Sequence, residues 1–522
     1  MRLNRIIERK DRLAVLCTIL GFACNQGFVF SLFYMGENKA LAIGSHVFER
    51  ADLFGTLVLI GLSFLILRLA SPKARISLLT KSLVWFYAVL LVIGSLVPGL
   101  VGGNEAAGLV VECVLIGIPS ALMLAAWGRA FGAQPLGRCI VEIFLASGLG
   151  AIVCLALAAW SFAPLLLVLK LLPLGSALAL RSLLPDSVTG GTASGRMSPG
   201  DLDDDGERTD DQDSRASQLS LGDLFSTPEQ RDETARLSKK IVVGTVLYGL
   251  AAGFMETYGS DPGMASTPTF PASLLLFVLF CAAALQFIAP GGSGSLSGPS
   301  SDASVAQVEP EGPLDGVYRL ALLVMMAGFL FVPVLFDFGV PGEAIVLAGY
   351  LGLTYVLISL FLVMARLTDQ DAALSFARGF AALYLGEAAG IGWGNVIDLV
   401  GQTGQTPYVV VACAGLATLF SYLFLFTERD FRALSVIARD ADRFEDVCLL
   451  IAHEHGLSKR EAEVLPLALK GRTGERIAAE LFISKSTVDT HLRRIYAKTG
   501  VHGRQELIDL GEKMTRGTSF HG

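Results

Sequence analysis

Runs of about twenty apolar residues recur along this chain, and no feature constrains its fold more. They lie near residues 13–34, 51–70, 82–101, 107–127, 139–160 and 163–181, and then near 240–258, 271–289, 317–336, 343–365, 376–400 and 408–427. A run of this length crosses hydrocarbon as a helix, because a helix satisfies its backbone polar groups within the segment. The composition agrees: 52% of the 522 residues are hydrophobic and 17% are charged, against about 25% charged in an ordinary soluble protein. Only "SFA" separates the fifth and sixth runs, which predicts a tight helical hairpin. The first run follows the basic segment "MRLNRIIERKDR" with no small-residue cleavage site, so it is expected to be a retained membrane helix.

Lys and Arg near the span ends set the direction. The N-terminal arm carries Arg2, Arg5, Arg9, Lys10 and Arg12, and the second loop carries Arg68, Lys73, Arg75 and Lys81. Arg129 and Arg138 lie in the fourth loop, Arg366 and Arg378 in the tenth. The alternate loops hold few positives, Lys39 and Arg50 among them. This bias predicts that both termini are cytoplasmic. Two low-complexity segments fall on the same side. Residues 182–239 contain "DLDDDGERTDDQD", a composition that buries too little apolar surface to fold alone, and residues 290–316 read as a flexible loop. The eight cysteines form no Cys-x-x-Cys or Cys/His cluster. With no nucleotide loop or metal motif either, the sequence points away from an enzyme and calls for no cofactor.

Polar side chains inside a span are costly, which makes each a candidate for function. Asn25 and Gln26 sit in the first run, Glu112 in the fourth, Glu142 in the fifth and Glu387 in the eleventh. Tyr248, Tyr355, Tyr384 and Trp393 share these helices. A pocket combining carboxylates and aromatic rings suits small polar aromatic or cationic ligands, so Asn25, Gln26, Glu112, Glu142, Tyr248, Tyr384, Glu387 and Trp393 form the candidate ligand set. The alternative for each is an interhelical hydrogen bond. Glu256 and Asp398 lie near span ends, where snorkelling accounts for them. Gly386, Gly390 and Gly394, at four-residue spacing, predict close packing of two helix backbones.

Six plus six spans around a long cytoplasmic loop resemble the major facilitator superfamily over about residues 10–427. The resemblance implies two six-helix halves with a ligand site near the midplane between them. The loop between spans two and three, "RLASPKARISLLTK", lacks the family's usual Gly/Asp/Arg/Gly motif.

Beyond Arg429 the pattern changes to amphipathic helix. In "GLSKREAEVLPLALKG" Ser458 and Glu461 have capping-box spacing, and Gly471 stops the helix. "GERIAAELFIS" supplies a short second helix, Ser484 caps a longer basic third, and "GRQELIDLG" gives a fourth. A short helix, a tight turn and a basic helix form a helix-turn-helix, whose second helix enters the major groove of double-stranded DNA. Residues 457–522 hold twelve Lys and Arg against eight Asp and Glu, a net +4 suited to phosphate.

The stretch "LSKREAEVLPLALKGRTGERIAAELFISKSTVDTHLRRIYAKTGVHGRQELI" is similar to the DNA-binding domain of LuxR-type regulators. The resemblance implies a four-helix domain that reads DNA as a homodimer. It implies DNA contacts from Lys485, Ser486, Thr487, Asp489, Thr490, Arg493, Arg494 and Lys498, and a dimer contact through Leu507 and Leu510. Asp489 departs from the family's usual Lys. It can accept from cytosine N4 beside an Arg493 suited to guanine, or it can pair with Arg493 along the helix; loss of DNA binding is a third reading.

The expected fold class is therefore all-α: a polytopic membrane bundle of about twelve helices, six plus six and major-facilitator-like, with a C-terminal four-helix LuxR-type helix-turn-helix domain. The expected boundaries are 1–181 for the first half, 182–239 for the acidic loop and 240–427 for the second half. They continue with 428–456 for a helical connector and 457–522 for the DNA-binding domain. The expected function is a one-component regulator embedded in the lipid bilayer and responsive to a small-molecule inducer. A transporter with a regulatory DNA-binding tail is the rival.

Overall fold

The structure is a computed structural model. It describes residues 2–34, 39–44, 46–97, 105–134, 136–159, 163–184, 228–258, 269–288, 313–336, 342–367, 371–400, 415–416, 444, 447–481 and 483–518. The chain divides into two units, Met1–Ser187 with Ser238–Ser435, and Val188–Leu237 with Val436–Gly522.

The first unit runs α1 (Arg2–Phe33), a hairpin of β1 (Leu41–Ile43) and β2 (His46–Phe48), α2 (Ala51–Leu69), α3 (Pro72–Leu78), α4 (Lys81–Leu96), α5 (Glu105–Gly132), α6 (Leu136–Ala159) and α7 (Ala163–Leu183). It continues with α8 (Pro228–Tyr258), α9 (Thr269–Ile288), α10 (Pro313–Phe336), α11 (Gly342–Leu367) and α12 (Ala372–Val400). Apart from the short loop helix α3, these helices fall on the first eleven apolar runs. Among the described residues seven helices are long and apolar enough to span a membrane, and Lys81–Leu96 and Gly316–Phe331 are shorter apolar helices. The twelfth run, all but residues 415–416, lies outside the described residues, as do 185–227 of the acidic loop, 289–312 of the second loop and most of the connector.

The burial pattern is the reverse of a soluble protein's. Ile66, Leu69, Leu275, Leu279, Leu323 and Leu330 stand exposed, while Glu112, Glu142, Glu256 and Glu387 are buried. Lipid accepts the former, and only an internal partner makes the latter tolerable. Within the first half α1 packs on α6 and α7, and α5 packs on α2 and α4. Within the second, α11 packs on α9, α10 and α12. The halves meet where α2 lies against α12 and α6 against α9.

A further seam joins α8 to α12. A Cβ at Gly249 or Gly253 would run into the backbone around Leu383 and Glu387, and one at Gly386 or Gly390 into the backbone of Val246 and Leu250. The four-residue glycine spacing thus serves close helix approach. The hairpin adds a small β element that an all-α reading did not include. It pairs Leu41 with Phe48 and Ile43 with His46, and turns through Gly44 at φ 66°.

The second unit runs α13 (Lys459–Leu469), α14 (Gly474–Leu481), α15 (Lys485–Thr499) and α16 (Arg504–Thr518). Its core gathers Val464, Leu465, Ala468, Ile477, Val488, Leu492 and Ile495. Residues 447–454 are also helical, and Val447, Cys448 and Ile451 belong to the same core. The packed domain therefore starts before residue 457, inside the segment read as a connector.

Candidate functional site

The membrane unit encloses a cavity of about 100 Å³ between its halves. Asn25 and Gln26 reach it from α1, Glu256 from α8, Tyr350 and Tyr355 from α11, and Tyr384 and Glu387 from α12. Tyr355 donates to Gln26 Oε1 at 2.9 Å, tying α11 to α1 across the two halves. Tyr350 donates to Glu387 Oε2 at 2.8 Å. Tyr355 stacks on Phe277 and Tyr384 on Phe380, which fixes both rings. The cavity is smaller than the roughly 150 Å³ that admits a benzene, so a bulkier ligand requires the halves to part.

Four of the eight expected ligand residues, Asn25, Gln26, Tyr384 and Glu387, line this cavity, and four are placed elsewhere. Glu142 pairs with Arg138 one turn earlier on α6, at 2.8 Å. Glu112 pairs with Lys39 at 2.5 Å. Tyr248 shares a 2.8 Å hydrogen bond with Tyr318. Trp393 is 59% exposed on the outer surface of α12. Tyr34 and Tyr350 also line the cavity and were not anticipated.

Above the cavity the segment after α1 is clamped to both halves. Lys39 reaches Glu112 of α5. Asn395 of α12 accepts from the Glu49 N–H at 2.6 Å and donates to the Glu49 carbonyl at 3.2 Å. Arg50, 1% exposed, pairs with the equally buried Glu256 of α8 at 3.0 Å, donates to the Phe33 carbonyl and lies 4.5 Å over the Phe270 ring. Glu256 is thus a buried ion-pair partner, and the snorkelling expected of it is overturned. The side chain of Asp398 lies outside those described.

In the second unit the caps place the reading helix. Ser458 accepts from the Glu461 N–H at 3.4 Å, and Glu461 Oε2 accepts from the Ser458 N–H at 2.7 Å. The same oxygen takes Lys498 Nζ at 2.6 Å, and Lys498 also donates to the Gly456 carbonyl. The Lys498 ammonium beside it and the Ser458 N–H hold the Glu461 carboxyl down, from 4.5 to about 2. Lys498, expected on phosphate, is thus committed to the domain itself. It fastens the end of α15 to the start of α13. Ser484 caps α15 by accepting from the Thr487 N–H at 3.1 Å, and Gly500 closes the helix at φ 71°.

Glu461 stabilises its unit fully above its ordinary pKa of 4.5, and that contribution fades as pH falls toward 2. Lys498→Met is expected to cost roughly 1–3 kcal/mol near neutral pH and to flatten this acid-side loss. Thermal unfolding of the C-terminal unit from about pH 6 to about pH 2 checks it. An unchanged midpoint and acid profile in the variant would rule the brace out.

On α15 the apolar residues Val488, Leu492 and Ile495 face inward, which leaves Lys485, Ser486, Thr487, Asp489, Thr490, Arg493 and Arg494 on the exposed side. Lys485 pairs with Glu475 of α14 at 3.2 Å. Thr490 Oγ1 donates back to the Ser486 carbonyl at 2.8 Å. Asp489 forms no ion pair with Arg493. Its Oδ1 instead lies 3.3 Å from where a Cβ on Gly474 would stand, at the first turn of α14. Leu507, expected in the dimer contact, is 0% exposed and belongs to the core, and Leu510 is partly buried.

Residues 455–510 match the family described as bacterial regulatory proteins, luxR family. The oxygen regulatory protein NreC of Staphylococcus aureus, from strains JH9 and JH1, is 44% identical over 57 residues, or 11% of this chain and 26% of that protein. The chain spans about a quarter of the length of these curated relatives. Among solved structures, the human organic anion transporter MFSD10 (TETRAN) covers 81% of this chain and 99% of its own, at TM-score 0.47 and 13% identity. The major facilitator superfamily transporter FucP, in the outward conformation, covers 82% and 98%, at TM-score 0.40 and 13% identity. At those values the membrane fold rests on the helix order and packing described above. Residues 455–510 are a luxR-family helix-turn-helix domain, following a predominantly helical membrane unit.

Proposed function

We propose that the protein is a one-component transcription regulator of the bacterial inner membrane. Its membrane unit senses a small molecule in the central cavity, and its C-terminal unit binds promoter DNA. Both termini are cytoplasmic in this reading, which puts the reading helix on the side where DNA lies. The observation that carries it is the exposed side of α15. There Arg493 and Arg494 stand without an acid partner among the described residues, next to the row Ser486, Thr487, Asp489 and Thr490. Phosphate contacts position such a helix, and in this reading Arg493 and Asp489 read base edges. The homodimer on DNA uses Leu510 and the exposed side of α16. A ligand acts only by binding one arrangement of the two halves better than another. Transport through the same cavity is the rival reading, and uptake into vesicles that depends on Glu387 would favour it.

Genome-wide crosslinking of the full-length protein tests the DNA half. Arg493→Ala is expected to weaken operator binding by about 1–3 kcal/mol, near 10- to 100-fold. Asp489→Lys is expected to change which operator is preferred, since no pairing with Arg493 occupies the carboxylate. Unchanged occupancy in Arg493→Ala would sink the reading. For the sensing half, Tyr355→Phe and Gln26→Leu break the bond between the halves and are expected to change transcript levels of the bound promoters. Unchanged levels in both variants would reject sensing through this cavity.

A further inference from the structure

We propose that the central cavity binds a small organic cation, with the Glu387 carboxylate as its counter-ion. The proposal rests on the sensing reading for its consequence, while the binding itself follows from a charge balance. Two carboxyl groups, Glu256 and Glu387, line the cavity, and among the described residues no Lys, Arg or His lines it. Arg50 neutralises Glu256 from just beyond the wall. Glu387 is 4% exposed, and the partner described for it is the Tyr350 hydroxyl, which brings no charge. Glu387 is therefore the lining carboxyl left without a cation among the described residues, and a cationic guest is what would let it ionise.

A buried carboxylate without a cation is costly in a membrane protein, and a cationic ligand removes that cost. An anion would oppose that ionisation, and a neutral molecule would do nothing to favour it. The remaining wall suits the same guest. Phe30, Phe33, Tyr34, Tyr350, Tyr355 and Tyr384 surround the space, and aromatic faces attract ammonium groups. The hydroxyls add acceptors for its N–H groups.

The position of Glu387 is also fixed before any ligand arrives. Its backbone lies against Gly253 of α8, where a side chain would collide with it, so the carboxylate is anchored to a rigid helix crossing. The cavity size, about 100 Å³, limits the guest to about four or five non-hydrogen atoms in this closed form, judging from the roughly 150 Å³ that a benzene requires.

The test is thermal unfolding of the purified full-length protein at matched ionic strength. The probes are ethanolamine, tetramethylammonium, ethylene glycol and glycolate. Ethanolamine, ethylene glycol and glycolate are close in size and differ in charge. The two cations are expected to raise the wild-type midpoint by roughly 2 °C or more at ten times their Kd, while ethylene glycol and glycolate leave it in place. Glu387→Gln keeps the shape, removes the charge, and is expected to abolish the shift.

If Glu387→Gln fails to fold, the charge series on wild type still decides, together with Glu387→Asp, which retains a carboxyl and is expected to retain a shift with the two cations. A shift with ethylene glycol as large as with ethanolamine overturns the proposal. So does a persisting shift in Glu387→Gln, or no shift with either cation. Promoter occupancy with and without ethanolamine is measured separately. Binding without a change in occupancy supports the cation site and sinks the sensing reading.

Discussion

Arg50→Met is expected to cost the membrane unit about 3–5 kcal/mol, because it removes the cation that pairs with the buried Glu256. In the native protein Arg50 meets Glu256 with both side chains 1% exposed, and the Tyr34 hydroxyl that remains beside Glu256 brings no charge. It is also a cation facing Asp52, whose Oδ1 is buried without a hydrogen-bond partner. Removing the guanidinium leaves two carboxylates at the hairpin end of the bundle, frees the Phe33 carbonyl and empties the face of Phe270. Methionine retains most of the volume, so the loss reports charge more than packing. The double variant Arg50→Met/Glu256→Gln removes one stranded charge and is expected to recover part of the loss. Thermal midpoints in detergent for wild type, both single variants and the double give the cycle. A single-variant loss below about 1 kcal/mol, or a double variant no better than Arg50→Met, would show that the pair does not hold this end closed.

The sequence marks the eleven described long helices of the membrane unit because about twenty apolar residues have few fates other than a membrane helix. It yields the reading helix because Ser458, Gly471, Ser484 and Gly500 punctuate the domain at helix ends. It could not choose which polar residues face the cavity. A membrane helix is apolar toward lipid and toward its neighbours, so periodicity does not mark the inner face as it does on a soluble helix. Glu387 and Glu142 therefore read alike, although one lines the cavity and the other pairs with Arg138. Arg50 read as a loop cation. The partner of Arg50 lies 206 residues away, and its left-handed backbone at φ 53° carries no signal in an Arg. One hint was available: Lys39 and Arg50 are the positives in a loop whose side of the membrane otherwise has almost none, and both proved to be paired with buried acids. Lys498 was misplaced for a different reason. A cation at the end of a reading helix suits phosphate, and only the fold brings Glu461 beneath it.

Gly253→Val is expected to be among the most damaging single changes in the chain. A Cβ at that position would overlap the carbonyl of Glu387, and backbone cannot rotate aside as a side chain can. Overpacking of this kind costs roughly 3 kcal/mol or more, and here it parts α8 from α12. The damage would reach function, since Glu387 itself sits at the crossing and would be carried off Tyr350 and the cavity. Gly390→Val is expected to behave alike, its Cβ meeting the Leu250 carbonyl. Gly392 supplies the contrast on the same helix: its added Cβ would meet only Phe54, at an ordinary 3.6 Å. Gly392→Ala should therefore be neutral, or stabilising by up to about 1 kcal/mol through helix propensity. Yield and thermal midpoint of the three variants in detergent separate a tight crossing from a general intolerance of this helix. Equal losses at 253, 390 and 392 would mean that the glycines matter for something other than the approach of α8 to α12.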